Sequence, residues 1–205
     1  MKRRILCLLS GGYDSQFLCR YAQEQGDVQA VFIRYGQPAV EEEEAAARQF
    51  SELINIQLHI RELEMLGLED MRAPSGQTGP RIVPVRNLLF LSVAANLAAT
   101  IDCNEVWYGA TAEDTYSYPD CRSGFVMGAD AALRAYGLKA AAPLVRRTRS
   151  DMIRYARDAG WTFPDAWSCY APAEPGVPCG TCNSCLQPTT TCASTTGASS
   201  TAAHL

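Results

Sequence analysis

Short apolar runs alternate with helix-patterned stretches along the first half of this chain, and that alternation leaves few folds open. Residues 5–9 (ILCLL), 28–35 (VQAVFIRY), 56–63 (IQLHIREL) and 105–110 (EVWYGA) have the length and β-compatible composition of buried strands. Between them lie three helical patterns. One starts at Asp14, with Phe17, Leu18 and Tyr21 on its apolar side; a second is EEEEAAARQFSELI at 41–54, with acids in its first turn; the third is RNLLFLSVAANLAATI at 86–101. The third is so apolar that burial on most sides is expected. Parallel strands need crossovers, and helices are what separates these strands. The expected fold is therefore α/β, a Rossmann-like parallel sheet flanked by helices on both faces.

The first strand runs into Ser10-Gly11-Gly12-Tyr13-Asp14-Ser15. A strand that turns tightly into a helix presents unpaired N–H groups and the positive end of the helix dipole, and glycines let a ligand approach the backbone. Ser10 and Ser15 add hydroxyl donors, so phosphate is the natural guest. The alternative is a plain glycine turn in which Asp14 or Ser15 only caps the helix. Position favours phosphate, because ligands on parallel sheets bind beyond the carboxyl ends of the strands. Tyr35, Gly36, Gln37 and residues 109–114 emerge at the same end.

Composition narrows the function classes. With 47% hydrophobic residues, 20% charged residues and a formal charge of -4, the chain resembles an ordinary globular protein and lacks a general electrostatic grip on nucleic acid. No stretch approaches the roughly 20 apolar residues of a membrane span. The basic start, Met-Lys-Arg-Arg, precedes too short an apolar run for a secretory signal, so a cytoplasmic location is expected. Such a compartment disfavours disulfides, and the nine cysteines are odd in number and clustered toward the C-terminus. Cys169, Cys179, Cys182 and Cys185 have the spacing of thiolates converging on one cation, as in a structural zinc site; an iron–sulfur cluster uses the same donors. Cys7, Cys19 and Cys103 read as small buried residues, Cys121 falls outside the cluster's spacing, and Cys192 is a spare.

Two further groupings carry polar chemistry. Arg86 and Asn87 open the apolar third helix beneath Pro84, either facing a pocket or, for Asn87, capping the helix while Arg86 is solvated. The loop GATAEDTYSYPDCR at 109–122 places Asp114 and Asp120 to hold Mg²⁺ or a base edge, with Tyr116 and Tyr118 to stack on it; solvated turn aspartates are the plain alternative. Near the end, residues 148–160 read as a helix capped by Thr148 or Ser150 and closed by Gly160. The segment 66–81 is loop-like, and from 187 onward the chain is nearly all Thr, Ser and Ala.

Taken in order, SGGYDS, YGQ, VPVRNLLFLS, EDTYSYPDCR, APL and WSCYAPAEPGVPCGTCNSC resemble the 7-cyano-7-deazaguanine synthase (QueC) family of the N-type ATP pyrophosphatase (PP-loop) superfamily, across roughly residues 4–186. That resemblance implies an adenine nucleotide alpha-hydrolase-like domain at 1–160, a small four-cysteine zinc-binding segment at 161–187 and a low-complexity tail at 188–205. It implies a cytoplasmic ATP-dependent C–N ligase, commonly a homodimer, that converts 7-carboxy-7-deazaguanine and ammonia to 7-cyano-7-deazaguanine, with neither membrane nor direct nucleic-acid contact. Two alternatives stand beside it: a related PP-loop enzyme delivering the activated carboxylate to another amine, and a non-catalytic nucleotide-binding zinc protein.

The family match assigns ATP to Ser10, Gly11, Gly12, Asp14, Ser15, Tyr35, Gly36, Gln37, Arg86 and Asn87, with Mg²⁺ accompanying it. It assigns the acceptor substrate to Arg86, Asn87, Tyr118, Asp120, Arg122 and Trp167, catalysis to Asp14, Asp114, Asp120 and Arg149, and Zn²⁺ to Cys169, Cys179, Cys182 and Cys185. Four features depart from the family pattern. Tyr13 replaces an aliphatic residue, QPAVEEEE follows YG in place of a more basic segment, TYS replaces Tyr-Ser-Gly, and Arg149 replaces lysine.

Overall fold

In the computed structural model, which describes residues 2–65, 82–164 and 166–186, the strands are β1 (Arg4–Leu8), β2 (Asp27–Arg34), β3 (Gln57–Glu62), β4 (Glu105–Trp107) and β5 (Lys139–Ala141). They form one parallel sheet in the order β3-β2-β1-β4-β5. β1 is the hub, with Leu6 beside Gln29 of β2 and Val106 of β4. Winding runs outward from β1 through β2 to β3, then restarts at β4 on the other side of β1. At such a reversal the connections diverge and leave a crevice beyond the carboxyl ends of β1 and β4.

The helices are α1 (Tyr13–Gln23), α2 (Val40–Leu53), α3 (Arg86–Thr100), α4 (Asp114–Ser117), α5 (Ser123–Arg134), α6 (Arg149–Asp158) and α7 (Asn183–Leu186). Successive strand residues point to opposite faces, which splits the core in two. Ile5, Cys7, Ala30 and Phe32 pack with Phe17 and Leu18 of α1, Phe50 of α2 and Met152 of α6. Leu6, Val31, Ile33 and Val106 pack with Leu91, Ala94 and Leu97 of α3 and Ala129 of α5. Cys7, Cys19 and Cys103 are buried among apolar neighbours, as their patterns suggest.

Tyr13 finds its partner in Phe163, an edge-on contact at 5.1 Å between ring centroids, within a cluster that includes Phe17 and Trp161. α6 starts with a capping box: the Thr148 hydroxyl accepts from the Asp151 amide while the Asp151 carboxylate accepts from the Thr148 amide. Gly160, at φ 67°, ends it.

Several elements differ from the sequence reading. β4 stops at Trp107, three residues before the expected end, because its pairing with β1 ends at Cys7 as β1 enters the Ser10–Ser15 turn. α3 is not buried on most sides: Leu91, Ala94, Ala95, Leu97 and Ala98 face the core, while Leu88 and Leu89 are 43% and 39% exposed. α5 and β5 carried no sequence signal. α5 includes Gly124 and Gly128, and the three-residue Lys-Ala-Ala strand is too short and too small for a strand pattern. The loop at 66–81 and the tail at 188–205 lie outside the described residues.

Candidate active site

A cleft of about 440 Å³ opens beyond the carboxyl ends of the central strands. Its floor is the turn after β1. There the Ser15 hydroxyl donates to the Gly12 carbonyl at 2.7 Å and accepts from the Ser10 amide at 3.1 Å, which holds the turn against the start of α1. Gly11 has φ 84°, and a Cβ on it would stand 2.3 Å from the Glu43 carbonyl oxygen. Glycine is required there by conformation and by space. Gly12 is less confined, since a Cβ would meet only the Ser10 hydroxyl and the Trp167 carbonyl at 3.6 Å.

Ser10, Gly12, Asp14 and Ser15 all line the cleft. Asp14, in the first turn of α1, is bound by Arg149 at the start of α6 through two contacts, Nη2 to Oδ2 at 2.8 Å and Nε to Oδ1 at 3.3 Å. Burial raises the Asp14 carboxyl above its ordinary pKa, and the guanidinium pulls against that rise. Arg149 also anchors its amide on Glu113.

The wall beyond β2 is built by Tyr35, Gln37 and Glu43. Gly36, at φ 86°, turns the chain so that the buried Gln37 folds back on β2. Its side-chain oxygen accepts from the Tyr35 amide at 2.8 Å, and its nitrogen donates to the Ile33 carbonyl at 3.2 Å and to Glu43 Oε2 at 3.0 Å. Burial raises the Glu43 carboxyl to about 7, against the opposing effects of the Gln37 amide and Arg86. Glu43 was not among the sequence-predicted site residues. Its signal was its place in the helical period, three and seven residues before the buried Ala46 and Phe50.

Arg86 and Asn87 open α3 on the facing side. The residue before them, Val85, is left-handed at φ 60°, an outlier for a β-branched side chain that swings both into the cleft wall. Arg86 is half-buried, lines the cleft and reaches the Tyr35 hydroxyl at 3.5 Å, so it is more than a solvated surface residue. The Asn87 side chain donates to Cys121 Sγ, while the Asn87 amide donates to Asp120. Asp120 thus caps α3, and its backbone carbonyl accepts from the Tyr108 hydroxyl.

Of the other residues named from sequence, Asp114, Tyr118 and Trp167 line the cleft; Gly11, Gly36, Asp120 and Arg122 support it from outside the lining. Asp114 accepts from the Thr111 amide and hydroxyl, 2.9 and 2.8 Å away. Arg122 is exposed and donates to the Thr115 carbonyl, outside the cleft lining. Tyr116 is 86% exposed and lies outside the cleft lining. Tyr170, unanticipated, joins Tyr118 and Trp167 in the lining.

The C-terminal segment closes the cleft. The Trp167 amide donates to the Gly11 carbonyl at 3.2 Å, and the Gly176 amide to Glu42 at 2.9 Å. Behind Trp167, the sulfurs of Cys169, Cys179, Cys182 and Cys185 all lie within 4.8 Å of one another. A tetrahedral zinc–thiolate site, with bonds of about 2.3 Å, spaces its sulfurs about 3.8 Å apart. The Cys179–Cys185 and Cys182–Cys185 separations are 3.9 and 3.4 Å, so the donor set fits such an ion. Backbone amides already point at the sulfurs, Cys179 N to Cys169 Sγ and Cys182 N to Cys179 Sγ. Burial opposes ionisation of Cys179, but nearby N–H donors, the Cys182 amide among them, bring its thiol down to about 6.

Comparison with known proteins places this geometry. A profile described as queuosine biosynthesis protein QueC matches residues 4–195. A 7-cyano-7-deazaguanine synthase from Citrifermentans bemidjiense is 33% identical over 204 residues, covering 90% of this chain and 91% of that one. The protein of the same name from Rhizorhabdus wittichii is 35% identical over 202 residues, covering 89% and 88%. Among solved structures, the U34-tRNA thiolase NcsA from Methanococcus maripaludis, with its [4Fe-4S] cluster, superposes with TM-score 0.53 at 14% identity, over 82% of this chain and 60% of that one. A predicted subunit of tRNA methyltransferase from Methanocaldococcus jannaschii gives TM-score 0.54 at 14% identity, over 76% and 74%. These two similarities concern the fold alone.

Proposed function

The chain belongs to the QueC family of queuosine biosynthesis proteins, and from that premise we propose that it is an ATP-dependent C–N ligase converting 7-carboxy-7-deazaguanine and ammonia to 7-cyano-7-deazaguanine. The observation that carries this reading is one cleft in which the Ser10–Ser15 turn adjoins a half-buried arginine, Arg86, and the rings of Tyr118, Trp167 and Tyr170. A phosphate-binding turn and a site for a flat, anionic acceptor share a single space.

A carboxylate resists amination because oxide is a poor leaving group. One carboxylate oxygen attacks the α-phosphorus of ATP and pyrophosphate departs, leaving an acyl-adenylate. Ammonia attacks the acyl carbon, loses a proton and expels AMP, which gives the primary amide. The amide oxygen then attacks a second ATP, again releasing pyrophosphate; loss of both N–H protons and cleavage of the C–O bond release AMP and the nitrile. In this reading the protein mainly positions groups and stabilises negative charge.

Ser10, Gly12 and Ser15 hold the triphosphate at the start of α1. Arg149, fixed on Asp14, keeps positive charge at the phosphate end. Arg86 meets the acceptor's carboxylate. The carboxylates of Asp14, Glu113 and Asp114 are close enough to influence one another, and they are the groups that would hold Mg²⁺ brought in with ATP. Cys169, Cys179, Cys182 and Cys185 would hold zinc, which would give shape to the segment carrying Trp167 and Tyr170 rather than a reactive water.

We place the enzyme in the cytoplasm; among the described residues, no helix is long and apolar enough to cross a membrane. As a homodimer it would cover the exposed Leu88 and Leu89 of α3. Mass spectrometry of the product formed from 7-carboxy-7-deazaguanine, ATP and ammonium tests the reaction. The nitrile with AMP and pyrophosphate is expected, whereas an amide joined to another amine, or no nucleotide turnover, would overturn it.

A further inference from the structure

We propose that Glu43 is a specificity-determining residue of the cleft, its carboxylate reading the adjacent N–H donors on the 2-amino-4-oxopyrimidine edge of the acceptor's ring. This rests on the reading of the acceptor as a deazaguanine.

Acids in the first turn of a helix are favourable against its dipole, which accounts for Glu41, Glu42 and Glu43 as a group. It does not account for their separate fates. Glu41 is exposed, Glu42 accepts from the Gly176 amide, and Glu43 lines the cleft with Tyr35, Gln37 and Arg86.

The Glu43 carboxylate is held in place. Gln37 cannot flip its amide, because its oxygen must accept from the Tyr35 amide while its nitrogen donates to the Ile33 carbonyl. That nitrogen therefore always presents a donor to Glu43 Oε2. The described residues send no hydrogen bond to the other carboxylate oxygen, and the guanidinium nearest this wall, Arg86, is bonded to the Tyr35 hydroxyl. An ionised carboxylate accepts at about four lone-pair sites, so most of this capacity is left for a ligand.

The chemistry of that ligand follows. Phosphate is repelled by a carboxylate, which excludes the triphosphate. Adenine presents an amine beside a ring nitrogen bearing a lone pair, so one contact is gained and another is repulsive. A guanine-type edge presents the ring N1–H and the 2-amino group side by side, two donors matched to two carboxylate oxygens in the bidentate manner. A site with such an acceptor rejects a ring lacking the amine, because the carboxylate is then left short of a partner.

The test is calorimetric titration of the full chain with 7-deazaguanine and with 7-deazahypoxanthine, which differ only in the 2-amino group, together with ATP. The wild type is expected to prefer the amino compound by at least about 100-fold. Glu43→Gln should bring that preference to within about 5-fold and leave ATP affinity unchanged, since a side-chain amide offers one acceptor and one donor against two donors. Glu41→Gln, which changes the helix terminus by the same charge, should keep the full preference. Glu43→Asp, too short to reach, should lose it, and gives a second reading if Glu43→Gln fails to fold.

A wild type indifferent to the amine, a preference that survives both Glu43 substitutions, or loss of ATP affinity instead would overturn the assignment. So would binding of neither ring. Because no turnover is needed, collapse of the preference in a protein that forms no nitrile would sink the reaction and keep Glu43's role; nitrile formation with the preference intact in Glu43→Gln would do the reverse.

Discussion

At Gly11 and Gly12, two neighbouring glycines have different reasons to be glycine. Gly11 combines φ 84° with a backbone oxygen where its Cβ would stand, and Gly12 has ordinary contact distances around it. Gly11→Ala should therefore lose roughly 2–4 kcal/mol of stability, from left-handed strain and overpacking together, whereas Gly12→Ala should change it by less than about 1 kcal/mol. Urea denaturation of the two variants checks this, and equal losses would show that the Glu43 carbonyl is not the obstacle. Glu43 makes a second prediction at this scale. Its folded carboxyl titrates near 7, raised first by burial, with Gln37 and Arg86 opposing and Glu42 adding to the rise. Between about pH 4.5 and 7 the folded state keeps a proton that the unfolded chain releases, so this group's contribution to stability falls as pH rises. Relative to wild type, Glu43→Gln should gain on the order of 2 kcal/mol from pH 5 to pH 8, a value reduced for water in the cleft. A constant difference across that range would show an ordinary carboxylate.

Among the elements, those with strong periodicity were legible in the chain and those built by context were not. β1, β2, β3, α2 and α6 declared themselves through apolar runs, acidic first turns and the Thr148 cap. β5 is a strand because β4 offers it an edge, with Ala140 beside Val106, and nothing in Lys-Ala-Ala announces that. Of the site, the tight turn after β1 and the convergence of the four cysteines were readable because paired glycines after a strand and thiolates three residues apart each serve few local geometries. That Glu43 lines the cleft while Arg122 lies outside its lining was not legible, because side-chain direction depends on where neighbouring loops return, which local pattern does not encode. α3 carries a testable cost at its entry, where Val85 is left-handed with a branched side chain. Such backbone strain costs about 1–3 kcal/mol, partly offset in a glycine variant by the greater freedom of the unfolded chain. Val85→Gly should accordingly gain about 1 kcal/mol in thermal or urea unfolding while Arg86 keeps its place. A loss of stability would mean that packing of the valine outweighs its conformation.

Across the whole molecule, the cysteine cluster is joined to the turn after β1 through Trp167, whose amide is bonded to Gly11. None of the four cysteines lines the cleft, yet residues beside them do. Cys182→Ala should abolish metal binding, measured as one zinc per chain in the wild type, and weaken ATP at least about fivefold, or ~1 kcal/mol. A metal-free variant with unaltered ATP affinity would separate the two regions, and iron in place of zinc would change the identity of the ion. The Trp167–Gly11 bond also sets an order in time. Translation delivers the turn after β1 almost at once and its closing wall only after the whole sheet has emerged from the ribosome. A nascent chain halted before Cys185 would carry the cleft without its last side complete. On the proposed function, ligand capture would then report completed synthesis, and an ion held by the four cysteines would be the latch fitted last.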